Sequence, residues 1–153
     1  MDSIGTFEIK KVIKIPEDEY IQIISSDSDF FQYLKKFNNE LINSYSKEED
    51  GSIILTFKNI IDQDDEELSL IKFTHSNELI DDNYVLNLKC DKDYDNEDFF
   101  TIDFEDIIIN INRDGFILVM TYNSKKYPKA VINMIQRYFE EMLDNLEKTY
   151  FSK

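Results

Sequence analysis

Three aspartates at alternate positions, Asp91, Asp93 and Asp95, match the first, third and fifth ligand positions of a calcium-binding loop. The match ends there, because the sixth position is Asn96 where the loop needs glycine. The twelfth position is Ile102 where a bidentate glutamate should lie. The sequence therefore predicts no metal cofactor, and weak incidental Ca²⁺ binding by clustered carboxylates is the alternative that stays open.

Other chemistry-bearing residues lack the partners that catalysis needs. His75 and Cys90 are the single histidine and the single cysteine, without the spacing of a zinc site or of a nucleophile–base pair. Three glycines in 153 residues cannot supply a phosphate-binding loop or a dinucleotide fingerprint. Residues 8–10 read Glu-Ile-Lys, like part of a nuclease motif, but only Asp2 precedes them. We therefore predict that the protein is not an enzyme and uses no cofactor.

The dominant feature is a block of negative charge. From Asp62 to Asp106 there are sixteen acidic residues and three lysines, a net charge of −13 out of −15 for the chain. Such a surface repels phosphates and anionic membranes and attracts basic proteins. We therefore expect no direct binding to nucleic acid or to membranes.

The charge is densest in two polar segments, at 62–67 and 91–98. If the second segment is extended, its alternate acids project to one side about 6.6–6.8 Å apart, which could imitate part of a phosphate array. The predicted partner-binding residues are Asp62, Asp64, Asp65, Glu66, Glu67, Asp91, Asp93, Tyr94, Asp95, Glu97, Asp98, Glu105 and Asp106. Aspartate also favours turns for local reasons, so solvated hairpin turns are the alternative interpretation. Tyr94 is the aromatic residue that we expect to be exposed.

These patterns favour a small inhibitor that blocks a basic protein. The partner would be a toxin, a nuclease or another nucleic-acid-binding effector, which places the chain among immunity proteins or phage-type anti-defence proteins, with nucleic-acid mimicry as one mode of action. The alternative is a non-enzymatic adaptor or assembly domain whose charge serves solubility. A single cysteine and the lack of an apolar signal-peptide stretch predict a cytoplasmic protein.

Periodicity predicts one helical pair and one long helix. A strand over Phe7–Ile15 precedes a short helix that starts at Pro16 and ends near Ile24. A second helix, capped by Asp27 or Ser28, is predicted to reach Tyr45, because apolar residues recur every three or four positions. The last helix opens at Pro128 and runs to about Tyr150.

Between the helices the chain shows strand-like runs in succession. They are Ile53–Ile61, Leu68–Thr74, Tyr84–Cys90, Phe99–Phe104, Ile107–Ile111 and Phe116–Tyr122. Asp114-Gly115 between the last two predicts a hairpin. Consecutive strands indicate an α+β fold, with five to six mainly antiparallel strands packed by the N-terminal helical pair and the C-terminal helix. We predict one acidic domain over 1–153.

Overall fold

The computed structural model describes residues 4–25, 30–58, 68–91 and 100–151. Eight strands and three helices occur in these ranges. In chain order they are β1 (Ile4–Val12), α1 (Glu17–Ile24), α2 (Phe30–Phe37), β2 (Ile42–Lys47), β3 (Ile53–Phe57), β4 (Ser69–Ile80), β5 (Asn83–Cys90), β6 (Phe100–Thr101), β7 (Asp106–Asn112), β8 (Gly115–Asn123) and α3 (Lys129–Phe151).

The strands form one sheet in the order β1-β8-β7-β5-β4-β3-β2, and every neighbouring pair on this path is antiparallel. The short strand β6 lies off the path and pairs with β4 in parallel. The fold is therefore α+β with a mainly antiparallel sheet, as the succession of strand-like runs predicted. The number of strands was underestimated, since five to six were expected.

Two-residue hairpins close one end of the sheet, which we call the hairpin end. Asp81 and Asp82 connect β4 to β5, and Asp81 has the positive φ of 55° that aspartate tolerates better than most residues. Arg113 and Asp114 connect β7 to β8, so the predicted hairpin is confirmed. We call the opposite end, where β3 ends and where β4 and β6 begin, the loop end.

The helices cover one face of the sheet. Alternate strand residues, among them Ile109 in β7 and Leu118 in β8, are buried in one core with helix residues. Ring contacts join the layers: the centroid of Phe31 in α2 lies 5.2 Å from that of Phe73 in β4. Ile135 in α3 is 1% exposed, so the predicted C-terminal helix belongs to this core. None of the described helices is both long and apolar enough to cross a bilayer.

The second predicted helix is too long at its C-terminal end. It stops at Phe37, and residues up to Tyr45 that the helical spacing included form a turn and β2. The Asn38 side chain ends the helix, because its Nδ2 donates to Leu34 O at 2.9 Å and to Met142 O at 3.3 Å. Pairing of β2 with β3 then overrides the weak apolar periodicity. The cap predicted at Asp27 or Ser28 lies outside the described residues.

Several strand boundaries also differ from expectation. β1 is Ile4–Val12 instead of Phe7–Ile15, and β3 ends at Phe57, before the predicted end at Ile61. β4 continues past Thr74 to Ile80, and its extension pairs with β5 through exposed polar residues that carry no strand signal. The strand predicted over Phe99–Phe104 is β6, which spans two residues. The Ile102 N–H then donates to Leu70 O at 2.9 Å, so the chain follows β4 a little further before it enters β7.

A buried hydrogen-bond chain ties the three helices together. Glu19 in α1 is 5% exposed, although first-turn acids usually face water, and its Oε2 accepts a 2.8 Å bond from the Tyr33 hydroxyl of α2. The hydroxyls of Tyr33 and Tyr150 of α3 are 2.7 Å apart. Burial is the main reason that the pKa of Tyr33 is raised and that the pKa of Tyr150 is raised to about 12.

These buried tyrosines predict alkaline unfolding. A group whose pKa is higher in the folded protein than the unfolded value of 10.0 stabilises the fold fully below pH 10. That contribution is lost as the pH rises from 10 to about 12, through the folded pKa of Tyr150. We expect urea-unfolding experiments to show the free energy of unfolding falling in this window, with a smaller fall in Tyr150→Phe. Titration of all nine tyrosines near pH 10 in the folded protein, followed by absorbance, would contradict this prediction.

Candidate protein-binding surface

The predicted partner-binding residues divide between described and undescribed parts of the chain. Three of them, Asp91, Glu105 and Asp106, lie in the described ranges. The other ten lie outside the described residues: Asp62, Asp64, Asp65, Glu66, Glu67, Asp93, Tyr94, Asp95, Glu97 and Asp98. The described framework nevertheless fixes where both acidic segments attach to the sheet.

Both acidic segments attach at the loop end. Residues 59–67 connect the end of β3 to the start of β4, and residues 92–99 connect the end of β5 to the start of β6. Ser69 of β4 is the common neighbour, because it pairs with Phe57 of β3 on one side and with Phe100 of β6 on the other. Neighbouring strands are about 4.8 Å apart, so Phe57 and Phe100 are about 10 Å apart across β4.

This attachment anchors two acidic segments that are separate in sequence at the same end of the sheet. Residues 59–67 contain five acids and no basic residue, a charge of −5, and residues 92–99 contain four acids and one lysine, a charge of −3. Together they carry −8 of the −15 on the chain. The separation of their attachment points is comparable to the Debye length of about 8–10 Å at physiological salt.

Asp91, at the first residue after β5, is held by the sheet. Its backbone N–H donates to Lys72 O at 2.9 Å, and its Oδ2 lies 3.7 Å from Lys72 Nζ. The Asp91 side chain is 40% exposed, so this ion pair is at the surface and contributes little to stability. Asp91 therefore precedes the acidic segment 92–99 directly and also has an ion-pair partner of its own, Lys72.

Asp106 and Glu105 lie at the start of β7. Asp106 Oδ2 is 3.6 Å from Nζ of Lys89, which lies across the strand pair on β5. Glu105 is half-buried, and its N–H donates to Thr121 O at 2.7 Å. Lys72 and Lys89, two of the three lysines of the acidic block, thus pair with acids of the same block. Neither pair involves the acids of the two undescribed segments.

Asp103 is an acid of the block that the predicted set omitted. Its carboxylate accepts a hydrogen bond from Lys126 Nζ, and its N–H donates to the Tyr127 hydroxyl at 3.0 Å. The hydrogen bond to Asp103 is the main cause of the raised pKa of Lys126. The carboxylate joins the β6–β7 connection to the turn before α3. Its position in the acidic block was the only sequence signal for it.

Two of the aromatic residues near the acids are described, and both are buried. Tyr84 is 4% exposed and Phe104 is 1% exposed, so both belong to the core. Tyr94 and Phe99 lie outside the described residues, and the exposure expected for Tyr94 stays a prediction. Phe104 directly precedes Glu105, and its burial fixes the chain between the acidic segment 92–99 and β7.

The described interior offers little room for a small ligand. Two internal cavities each enclose about 10 Å³, about enough for one water molecule. Both are lined by core side chains such as Phe31 and Met142. Among the residues that the structure describes, no three His, Cys, Asp or Glu side chains are grouped to hold a metal ion. His75 lies half-buried on β4, and Cys90 Sγ lies 3.9 Å from Ile102 O.

Comparison with known proteins adds no family assignment. No protein-family model matches the chain, and no curated protein matches it. The features of the chain that bear on its function are its charge, the attachment of the two acidic segments and the contacts of the described framework.

Proposed function

We propose that this protein is a small inhibitor that uses the acidic loop end to bind and block a basic protein. The observation that carries the proposal is the attachment of both acidic segments on neighbouring strands, with Ser69 between Phe57 and Phe100. The five acids of 59–67 and the four of 92–99 then enter a partner's groove as one group. A partner of toxin, nuclease or nucleic-acid-binding type supplies the complementary basic surface.

The inhibition proceeds by occupation of a phosphate-binding groove. A nuclease or nucleic-acid-binding effector concentrates lysine and arginine where phosphates bind, and carboxylates placed there exclude the nucleic acid. Exposed charges accelerate the encounter, whereas desolvated pairs slow dissociation. Both an immunity protein and a phage-type anti-defence protein work in this way, and these two contexts differ only in the partner.

An acidic adaptor domain is the alternative function. In that role the charge maintains solubility, and the partner binds elsewhere. The half-buried outer face of the sheet, with Ile108, Ile117 and Val119, gives such a domain a less charged surface to use. The salt dependence of the association rate distinguishes the two functions. Added salt shortens the Debye length and slows association through the acidic segments, whereas the rate of association through the outer face stays the same.

The test removes charge at constant shape. In the variant, Asp93, Asp95 and Asp98 become Asn and Glu97 becomes Gln; Asp91 is retained because it pairs with Lys72. The partner is first captured from the protein's own cells by the immobilised wild-type chain, and its affinity is then measured by interferometry. We expect at least a tenfold weaker complex, about 1.4 kcal/mol, with most of the change in the association rate.

A matched control removes four acids from the hairpin end. These are Glu78→Gln, Asp81→Asn, Asp82→Asn and Asp114→Asn, all at exposed positions. β4 rises about 3.3 Å per residue, so Asp81 is about 40 Å along the strand from Ser69. We expect this control to change the affinity less than about twofold, well under 1 kcal/mol. Equal weakening by both variants would show that net charge, rather than the loop end, binds the partner.

A further inference from the structure

Strand β1 is a free edge of the sheet. In the described part of the chain it pairs with β8 alone, through nine consecutive pairs without a register shift. The N–H of Ile13 donates to Asp114 O at 3.1 Å, and this bond shows which alternate residues of β1 are hydrogen-bonded to β8. Odd-numbered residues bond to β8, so the N–H and C=O groups of the even-numbered residues from Ile4 to Val12 point away from the sheet. These groups can pair with a further strand.

Charged side chains such as Lys10 protect this edge against strand addition, but a short length, a bulge and a proline are missing from it. The opposite edge, β2, is six residues long and contains a register shift between Ile42 and Ser44. β1 is longer, contains no proline and no shift, and has exposed apolar residues at its ends, Ile4 at 57% and Val12 at 74%. Edge strands of monomeric proteins are usually short, bulged or interrupted by proline.

The charge of β1 differs from that of the rest of the protein. Residues 4–15 contain Lys10, Lys11 and Lys14 and one acid, Glu8, a net charge of +2 in a chain of −15. Lys11 pairs with Asp144 and Glu147 of α3, so the exposed charges of this segment are Glu8, Lys10 and Lys14. Two copies of an acidic protein repel each other less at a segment that lacks the excess of acids and carries charges of both signs. β1 is therefore the edge at which a second copy can approach.

We propose that β1 pairs with β1 of a second copy, antiparallel, about a two-fold axis at Ile9. Glu8 of each copy then lies opposite Lys10 of the other, and Thr6 lies opposite Val12. This register also places even-numbered residues opposite each other, as the outward-pointing backbone groups require. An axis at Glu8 would oppose the two glutamates, and one at Lys10 would oppose the two lysines. The result is an isologous dimer with one continuous sheet.

Charge-swap variants test this register in sedimentation velocity over a range of protein concentrations. We expect the wild-type chain to dimerise, and Glu8→Lys and Lys10→Glu each to weaken the dimer at least tenfold, because the two-fold axis doubles each new like-charge contact. An equimolar mixture of the two variants should dimerise like wild type, since every facing pair is again opposite in charge. The double variant, with both substitutions in one chain, should do the same.

The two substitutions change the net charge in opposite directions, which distinguishes an effect of the strand register from an effect of net charge. Glu8→Lys makes the net charge less negative and Lys10→Glu makes it more negative, so an effect of net charge alone would strengthen one dimer and weaken the other. That pattern would overturn the proposal, as would a wild-type chain that is monomeric at every concentration.

Thr6→Pro removes an outward N–H and should abolish dimerisation with an unchanged thermal unfolding temperature. A dimer that survives Thr6→Pro would place the interface elsewhere.

Discussion

Gly115→Ala is expected to lower the free energy of unfolding by about 3 kcal/mol or more. Gly115 opens β8 with a φ of 141°, a conformation that residues with a side chain rarely adopt. An added Cβ would lie 2.0 Å from the backbone oxygen of Lys11 in β1. Because that neighbour is backbone, relief requires β1 to move away from β8 at the hairpin end. Urea unfolding monitored by circular dichroism measures the loss.

Gly51→Ala is the matched control for backbone strain. Gly51 also has a positive φ, 92°, but an added Cβ would have no atom within 4 Å. Its cost should therefore be the strain alone, about 1 kcal/mol. Equal losses for the two variants would show that contact with Lys11 plays no part, and that β1 does not lie where the pairing with β8 places it.

Phe73→Ala should cost about 3–5 kcal/mol, the range for truncating a buried phenylalanine. Phe73 is 1% exposed and lies in the middle of the sheet, between Ile53 of β3 and Cys90 of β5. Its ring also contacts Phe31, so the truncation removes one of the contacts between α2 and the sheet. Since small domains are stable by about 5–15 kcal/mol, we expect this variant to unfold at a much lower urea concentration.

Leu79→Ala on the same strand is the control that shows whether the loss at Phe73 comes from its burial or from its position in β4. Leu79 is 53% exposed in the extension of β4 towards the hairpin end. Its truncation removes few contacts, and we expect a change within about 0.5 kcal/mol, as for most surface substitutions. A large loss at Leu79 together with a small one at Phe73 would contradict the assignment of the core to the helix-covered face.

The sequence predicts the fold class well because most core strands have strong apolar patterns. The predictions of element boundaries are wrong where contacts between distant residues determine where a helix or strand ends. Asn38 ends α2 through a bond to Met142, which is over a hundred residues away, so no local spacing could have indicated it. β4 continues through Ser76, Asn77 and Glu78 because β5 pairs with it, and these polar residues carry no strand preference.

The candidate surface was predictable in composition but not in arrangement. The sequence shows two acidic segments, and strand succession suggests separate hairpin turns. Their attachment at the same end of the sheet depends on β6, a two-residue strand that pairs with β4 in parallel and out of sequence order. The local pairs of Asp91 with Lys72 and of Asp106 with Lys89 are also products of strand register. Register is specified by the whole sheet rather than by any short segment.

The pairing of β1 with β8 has a consequence for synthesis on the ribosome. Val12 pairs with Gly115, which follows it by 103 residues, so β1 cannot pair in the sheet until β8 has been made. At about 5–20 residues per second, that interval is about 5–20 s. β3, β4 and β5 pair with near neighbours and can form during this time. β1 is therefore made before the other described strands but joins the sheet only after β8, the last of them, has been made.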